Sequence, residues 1–324
     1  MKVLFTDYDM LDVSLERRIF REAGLELVEA QCRTEDDVIA ASEGCSALLV
    51  QYAQVGAKVF AARPGIGLVS RIGAGYDTID AKAAAAAGVW VANSPDYGVG
   101  EVSSHAFALM LAAIRNVVRW NADVKAGTWH YTSAGTVPRL TDMTVGVMGL
   151  GRIGKRFAHI ARNTFKRVIA YDPHLIDGDF PPYVERMHTL EALFEQADAV
   201  SIHCLLTDET RGLVNAAVLR RMKPGSYLVN TARGAVIDLE GLTEVVAEGR
   251  LAGVGLDVLP VEPVPAGHPF LTDPRVILTP HSAFYSAASE VELRTKAAMN
   301  VVQWGKTGRP GYPVMQGHQQ SRSI

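Results

Sequence analysis

Three segments late in the chain each carry a chemically capable residue just past a short apolar run: VNTARG (229–234), LDVLPVEP (256–263) and LTPHSAFYS (278–286) supply Arg233, Glu262 and His281. An arginine can hold a carboxylate through two parallel hydrogen bonds and polarise a neighbouring carbonyl. A histidine exchanges a proton near neutral pH, and a carboxylate beside it favours and orients its charged form. These are the groups that reduction of an oxo-acid carbonyl requires. Each also has a plainer reading: Arg233 as a salt bridge at a helix cap, Glu262 as a surface acid before proline, His281 as a satisfied loop histidine. What favours chemistry is that all three follow a nucleotide-binding signature.

That signature is TVGVMGLGRIG (144–154), with Gly149, Gly151 and Gly154 at G-x-G-x-x-G spacing around Arg152 and Ile153. In a strand-to-helix turn the first glycine permits the bend and the second lets a pyrophosphate approach the backbone. The third lets the helix pack on the strand, while the helix N-terminus faces the anion. Three glycines in such a turn can also be packing alone. Context argues for the nucleotide. A further strand follows and ends at Asp172, 23 positions after Gly149, where an acid would hold the ribose hydroxyls. Read alone, Asp172 in Tyr-Asp-Pro is an ordinary turn aspartate.

Elements able to bring these residues together are written along the whole chain. Short β-branched runs alternate with helical stretches, the pattern of parallel sheets joined by crossovers. The first series predicts strands at 2–6, 25–30, 47–51, 67–72 and 89–92, and the second at 144–148, 168–171, 199–203, 226–230, 253–257 and 276–279. Apolar residues at helical spacing from Val99 to about Lys125 predict one long helix between the two series. A last helix is predicted over 287–304, and the tail, rich in Gly and Pro, reads as flexible. The fold class is α/β: two Rossmann-like or flavodoxin-like domains with parallel sheets. The expected boundaries are a discontinuous domain of 1–98 and 287–324 around a nucleotide-binding domain of 99–286.

Composition narrows the classes. At roughly 150 residues per domain, 324 residues imply two domains. A hydrophobic fraction of 48%, a charged fraction of 21% and a net charge of −3 argue against disorder and against non-specific nucleic-acid binding. The Ala-rich stretches around 81–92 and 106–114 fall short of the roughly 18 apolar residues that a membrane span needs. Cys32, Cys45 and Cys204 are odd in number and far apart, which suits a reducing compartment. The expectation is a soluble, cytoplasmic protein with a small-molecule substrate, no metal, and neither nucleic acid nor membrane as partner.

Over nearly its whole length the chain resembles the D-isomer-specific 2-hydroxyacid dehydrogenase family. RIGAGYDTID (71–80), GLGRIG (149–154), SIHCLLTDETRGLVN (201–215), VNTARGAVID (229–238), LDVLPVEP and TPHSAFYS carry the resemblance. Arg-Ile-Gly-x-Gly and the Pro-His-x-Ala-aromatic-Tyr-Ser run are most similar to its C-terminal-binding-protein branch. The resemblance implies that Arg233, Glu262 and His281 are the catalytic Arg-Glu-His. It also implies that Gly73, Ala74 and Gly75 form the loop whose amides hold a substrate carboxylate, that Asp257 faces the nicotinamide amide, and that Thr231 lines that pocket. His203 is read as cofactor-adjacent, and His105 and His174 as structural or cofactor-adjacent. NAD is the implied cofactor, with an active site in the interdomain cleft and a homodimeric assembly. Leu205 departs from the family, which usually has proline after His-Cys, and Ser104 stands where relatives often have an acid.

Substrate choice is read from the remaining pocket motifs. Phosphoglycerate dehydrogenases of the family commonly place an arginine after the third strand, whereas this chain has Gln51-Tyr52-Ala53. Tyr52 and Phe284 are expected as aromatic walls. Arg71 is read either as a second clamp on the carboxylate or as a salt bridge within its domain. The leading expectation is an NAD-dependent reductase of unphosphorylated 2-oxo acids making D-2-hydroxy acids. D-3-phosphoglycerate dehydrogenase and an NAD(H)-sensing corepressor-like binding protein are the alternatives. The first strand begins at Lys2 and the chain runs about 20 residues past its last helix, which leaves little room for a corepressor's extra segments.

Overall fold

The computed structural model describes residues 1–317. The chain divides into two compact units, one of Met1–Gly98 with the chain from Ser286 onward and one of Val99–Tyr285. The strands are β1 (Lys2–Phe5), β2 (Glu26–Glu29), β3 (Ala47–Val50), β4 (Leu68–Arg71) and β5 (Trp90–Ala92), then β6 (Thr144–Met148), β7 (Arg167–Tyr171), β8 (Glu185–Arg186), β9 (Ala199–Ile202), β10 (Ser226–Asn230), β11 (Leu251–Leu256), β12 (Val276–Leu278) and finally β13 (Pro313–Met315).

In the first unit the sheet order is β13-β5-β4-β3-β1-β2, and β1 to β5 pair in parallel. The last helix, Ala287–Thr307, returns to this unit. Its Arg294 grips the buried Glu16 of helix Ser14–Glu22 with two hydrogen bonds of 2.7 Å. The same helix accepts Ser70 Oγ from β4 at Ala297 O, 2.8 Å, and Ser94 Oγ at Leu293 O, 3.0 Å. β13 corrects the reading of the tail as flexible over Pro313–Met315; the rest of that expectation, at 318–324, lies outside the described residues. It pairs antiparallel with β5 at the sheet edge, the position in a sheet where a proline is tolerated.

The second unit is a seven-stranded sheet of order β12-β11-β10-β9-β6-β7-β8, parallel throughout. Alternate residues feed a core on each face: Met148 and Leu228 on one, Val145, Val147, Tyr227 and Val229 on the other. The order reverses beside β6, the switch point at which ligands collect past the strand ends. The single long helix read from the apolar spacing is instead two, Val99–Ile114 and Val117–Lys125. Asn116 breaks it by taking a left-handed conformation, φ 51°, and donates its side-chain amide to Ala134 O at 2.9 Å. No helix among the described residues is long and apolar enough to cross a membrane.

Candidate active site

The nucleotide signature forms a turn in which two glycines are close-packed and the third stands clear. β6 ends at Met148, and Gly149 follows at φ 88°, donating its N–H to Tyr171 O at 2.9 Å. A Cβ there would lie 2.6 Å from the Cys204 nitrogen. Gly154 packs directly on the Gly149 carbonyl. Gly151 caps the helix Arg152–Ala161, is exposed, and would carry a Cβ that meets nothing within 4 Å. The open position is the one where a phosphate must approach the helix N-terminus. Arg152 is exposed and Ile153 half-buried on the helix's first turn.

Asp172, at the end of β7, accepts the Leu150 amide at 2.8 Å and the His174 amide at 3.0 Å. Each carboxylate oxygen has a second lone pair, so the acid both fixes the glycine turn and retains acceptors for ribose hydroxyls. Thr231, 7% exposed, has a buried hydroxyl with no hydrogen-bond partner. Buried hydroxyls are usually satisfied, so this one suits a group that a bound cofactor completes. His203 Nε2 meets Ser201 Oγ at 2.9 Å and its ring packs on Phe157, while its Nδ1 is buried without a partner. Burial pushes the His203 imidazole down to about 3, so it is neutral at any working pH. These residues fit a dinucleotide.

Arg233, Glu262 and His281 lie past the ends of β10, β11 and β12. The buried Asn230 closes the turn that presents Arg233, donating to Arg233 O at 2.9 Å and accepting from the Ala232 amide at 2.9 Å. Gly234 lets the Leu259–Pro260 peptide pass so close that any side chain would collide with it. Glu262 Oε2 meets His281 Nδ1 at 2.8 Å, and its Oε1 accepts the Leu259 amide at 2.9 Å. Burial pulls the Glu262 carboxyl upward, but the His281 hydrogen bond and charge, the Leu259 amide and the Arg233 charge outweigh it, leaving the group below its ordinary value. His281 holds φ 53°, in the left-handed region that few non-glycine residues enter, and its amide donates to Asp257 O at 2.9 Å. Asp257, 2% exposed, spends its carboxylate on the same loop, accepting Thr279 Oγ1 at 2.6 Å and the Ser282 and Ala283 amides at 2.9 Å each. Phe284 follows, half-buried, edge-on to Tyr285.

The first unit gathers the other candidates. Gly73, at φ 154°, leads into Ala74 and Gly75, and the loop is braced by Asn93 Nδ2 to Ala74 O, 2.7 Å, and the Ser94 amide to Gly73 O, 2.9 Å. Arg71 folds back over it, its Nη1 donating to Ile72 O. The loop after β3 is built by Asp7, whose carboxylate accepts the amides of Gln51, Tyr52 and Ala53. Tyr52 is half-exposed and donates its hydroxyl to Asp9 at 3.1 Å, so the wall read as apolar has a polar rim. Burial, the Asp9 charge and that hydrogen bond push the Tyr52 phenol up to about 12.

Comparison with known proteins decides the family. Residues 107–283 match the NAD-binding domain of the D-isomer specific 2-hydroxyacid dehydrogenases. The chain belongs to that family. A glyoxylate reductase of Korarchaeum cryptofilum is 35% identical over 270 residues, 82% of this chain and 81% of that protein. A D-3-phosphoglycerate dehydrogenase of Mycobacterium tuberculosis is 36% identical over 83% of this chain, which spans 50% of that protein's length. A solved NADPH-dependent glyoxylate/hydroxypyruvate reductase of Sinorhizobium meliloti, in complex with NADP and malonate, superposes with a TM-score of 0.85 at 28% identity over 100% of this chain and 99% of that one.

Within this family member, the residues that reading by motif passed over are the supports. Asn230 sits in the quoted Val-Asn-Thr-Ala-Arg run, and a fully buried strand-end asparagine is itself a signal of a shaped turn. Thr279 lies inside the LTPHSAFYS run and His105 beside a motif, but neither has a visible partner in sequence. Their link is made in space, with His105 Nε2 3.0 Å from Thr279 Oγ1.

Proposed function

We propose that the protein is an NAD-dependent oxidoreductase interconverting an unphosphorylated 2-oxo acid and the corresponding D-2-hydroxy acid. The observation that carries this reading is the 2.8 Å pairing of Glu262 with His281, with the Arg233 charge acting on the same carboxylate, in the unit that holds the open glycine turn. Arg233 would hold the substrate carboxylate and polarise the carbonyl. Because Nδ1 of His281 is engaged by Glu262, Nε2 is the atom left to give the carbonyl oxygen its proton. Glu262 remains anionic and stabilises the charged imidazole before transfer. The nicotinamide, when bound, supplies the hydride. Gly73, Ala74, Gly75 and Arg71 are proposed to bind the substrate carboxylate, with Tyr52 and Phe284 toward its side chain. Gly149, Gly151, Arg152, Ile153, Gly154, Asp172, His203, Thr231 and Asp257 are proposed to serve the cofactor.

Several finer points belong to the same proposal. The preference for NAD over NADP rests on Asp172, which would repel a 2′-phosphate. Placement on the C-terminal-binding-protein-like branch rests on the Arg-Ile-Gly-x-Gly and Pro-His-x-Ala motifs. Cytoplasmic location rests on cysteine usage. A homodimer is supported by helix Val117–Lys125, which buries none of its residues, and by Trp129 and Tyr131, 86% and 81% exposed.

The similarity to phosphoglycerate dehydrogenases gives a second reading, so one assay should cover both. NADH oxidation is followed against glyoxylate, hydroxypyruvate, pyruvate, branched and aromatic 2-oxo acids and 3-phosphohydroxypyruvate, with the product's configuration determined. Turnover of a plain oxo acid to the D product is expected. A kcat/KM for the phosphorylated compound above every plain oxo acid would overturn the substrate assignment, and an L product would overturn the mechanism.

A further inference from the structure

The proposed proton donor depends on a loop held in an unfavourable shape. His281 is one of three non-glycine residues with positive φ among the described residues. Such a conformation persists only where its surroundings over-determine it. The His281 amide is shared between Thr279 O, 3.0 Å, and Asp257 O, 2.9 Å, and the rest of the segment is anchored on the buried Asp257 carboxylate, which takes three donors from it.

Asp257 is in turn oriented from outside the loop. Thr279 Oγ1 donates its proton to Asp257 Oδ1 at 2.6 Å. The threonine oxygen therefore accepts at its other contact, His105 Nε2 at 3.0 Å. This fixes the direction of the chain: His105 Nε2–H to Thr279 Oγ1–H to Asp257 Oδ1. His105 Nε2 also stands 3.6 Å from Asp257 Oδ1. His105 belongs to helix Val99–Ile114, a rigid element remote in sequence from the loop.

We propose that Thr279 and His105 are positioning residues for His281, acting through Asp257. The inference rests on the oxidoreductase reading above and deepens it. The hydroxyl of Thr279 converts the anchorage of Asp257 from a local loop contact into one referred to the helix. Without it, one carboxylate oxygen can turn away from the Ser282 amide, and the loop relaxes toward the ordinary backbone region. His281 then loses its alignment with Glu262 and with the carbonyl oxygen. A displacement of about 1 Å is enough to cost on the order of a hundredfold in rate.

The test compares Thr279→Val, which keeps the shape and removes the hydroxyl, with Thr279→Ser, which restores it. Thr279→Val should lose at least about tenfold in kcat with KM for the oxo acid within about threefold, and Thr279→Ser should recover most of the loss. His105→Leu should fall in the same direction, and combining it with Thr279→Val should lose no more than the worse single variant, because both cut one chain. Losses that multiply, or a Thr279→Val enzyme indistinguishable from the parent, would overturn the proposal. A second readout needs no turnover: in ¹⁵N-histidine spectra of the cofactor-free protein, the His281 resonances, assigned with His281→Ala, should move in Thr279→Val and stay in place in Thr279→Ser. Unmoved resonances in Thr279→Val would refute the positioning role even if no oxo acid were reduced. A parent that reduces none of the panel, with the resonances shifting as expected, would instead count against the oxidoreductase reading.

Discussion

Replacing Gly151 with alanine separates the cofactor's contribution from the fold's. Gly151 has φ −71°, ordinary for any residue, and a Cβ built on it meets nothing within 4 Å. The cofactor-free protein should therefore keep its stability, or gain about 0.4–1 kcal/mol from a less flexible unfolded chain. The added methyl would instead occupy the space through which a pyrophosphate reaches the helix amides. Losing one charge-assisted hydrogen bond costs about 1.5–3 kcal/mol, or between roughly tenfold and a hundredfold in Kd.

Gly149→Ala is the control with the opposite signature. Its Cβ would lie 2.6, 2.8 and 2.9 Å from backbone atoms of Cys204 and His203, at φ 88°. The turn would have to yield by about 0.8 Å to reach normal contact, on top of about 1–2 kcal/mol for the left-handed backbone. At roughly 2–4 °C per kcal/mol for a domain of this size, Tm should fall by about 5–10 °C. Thermal unfolding without cofactor and fluorescence titration with NADH measure the two effects. An unchanged NADH Kd in Gly151→Ala would refute the assignment of that space to the cofactor, and a fall in its Tm would refute the geometry.

Glu262→Gln should move the reductive limb of the pH–rate profile to lower pH while NADH Kd stays within about threefold; an unmoved limb removes Glu262 from its role. The Glu262 carboxyl is held below its ordinary value, so its stabilising effect is present at neutral pH and lost as pH falls through its folded titration. Tm of the Gln variant should accordingly change less than the parent's as pH falls through the acid range where the carboxylate titrates. His281→Ala should lose at least about a hundredfold in kcat, and retention of activity would reassign the proton donor. NADH should give a higher kcat/KM than NADPH, and a reversed preference would show that Asp172 does not face the 2′ position. Arg294→Met should lower stability by about 3–5 kcal/mol, because it strands the buried Glu16 carboxylate; urea titration showing less than about 1 kcal/mol would mean water or another cation reaches that acid.

What could be read from residues alone was whatever is written in local spacing. The β6–Gly149–Gly154 turn is recognisable because Gly149 and Gly154 answer local steric demands while Gly151 leaves the helix N-terminus open, and the eleven strands expected from apolar runs all occur, with ends moved by a residue or two. β13 escaped because Pro313–Met315 is three residues of weak propensity made into a strand by β5 alone. The break at Asn116 escaped because the apolar periodicity runs straight across it, and the side-chain bond that braces the left-handed turn goes to Ala134, remote from the helix pattern. Asn230, Asp7 and the His105–Thr279–Asp257 chain were invisible for a different reason. Their partners lie in the folded space and leave no periodic trace, so a buried polar residue in a motif signals a support without naming what it supports.

The first unit's sheet is assembled from both extremes of the chain, and this imposes an order on biosynthesis. A ribosome completes the whole of 99–285 before Arg294 exists to meet Glu16, or before β13 exists to cover β5. During that interval the N-terminal strands have emerged, yet they lack the helix that packs on β3 and β4 and present a bare parallel edge at β5. The middle unit, continuous in sequence, is free to fold first. The nascent N-terminal strands are therefore the segment most exposed to wrong pairing with neighbouring chains, and the segment a chaperone would have reason to hold until translation ends.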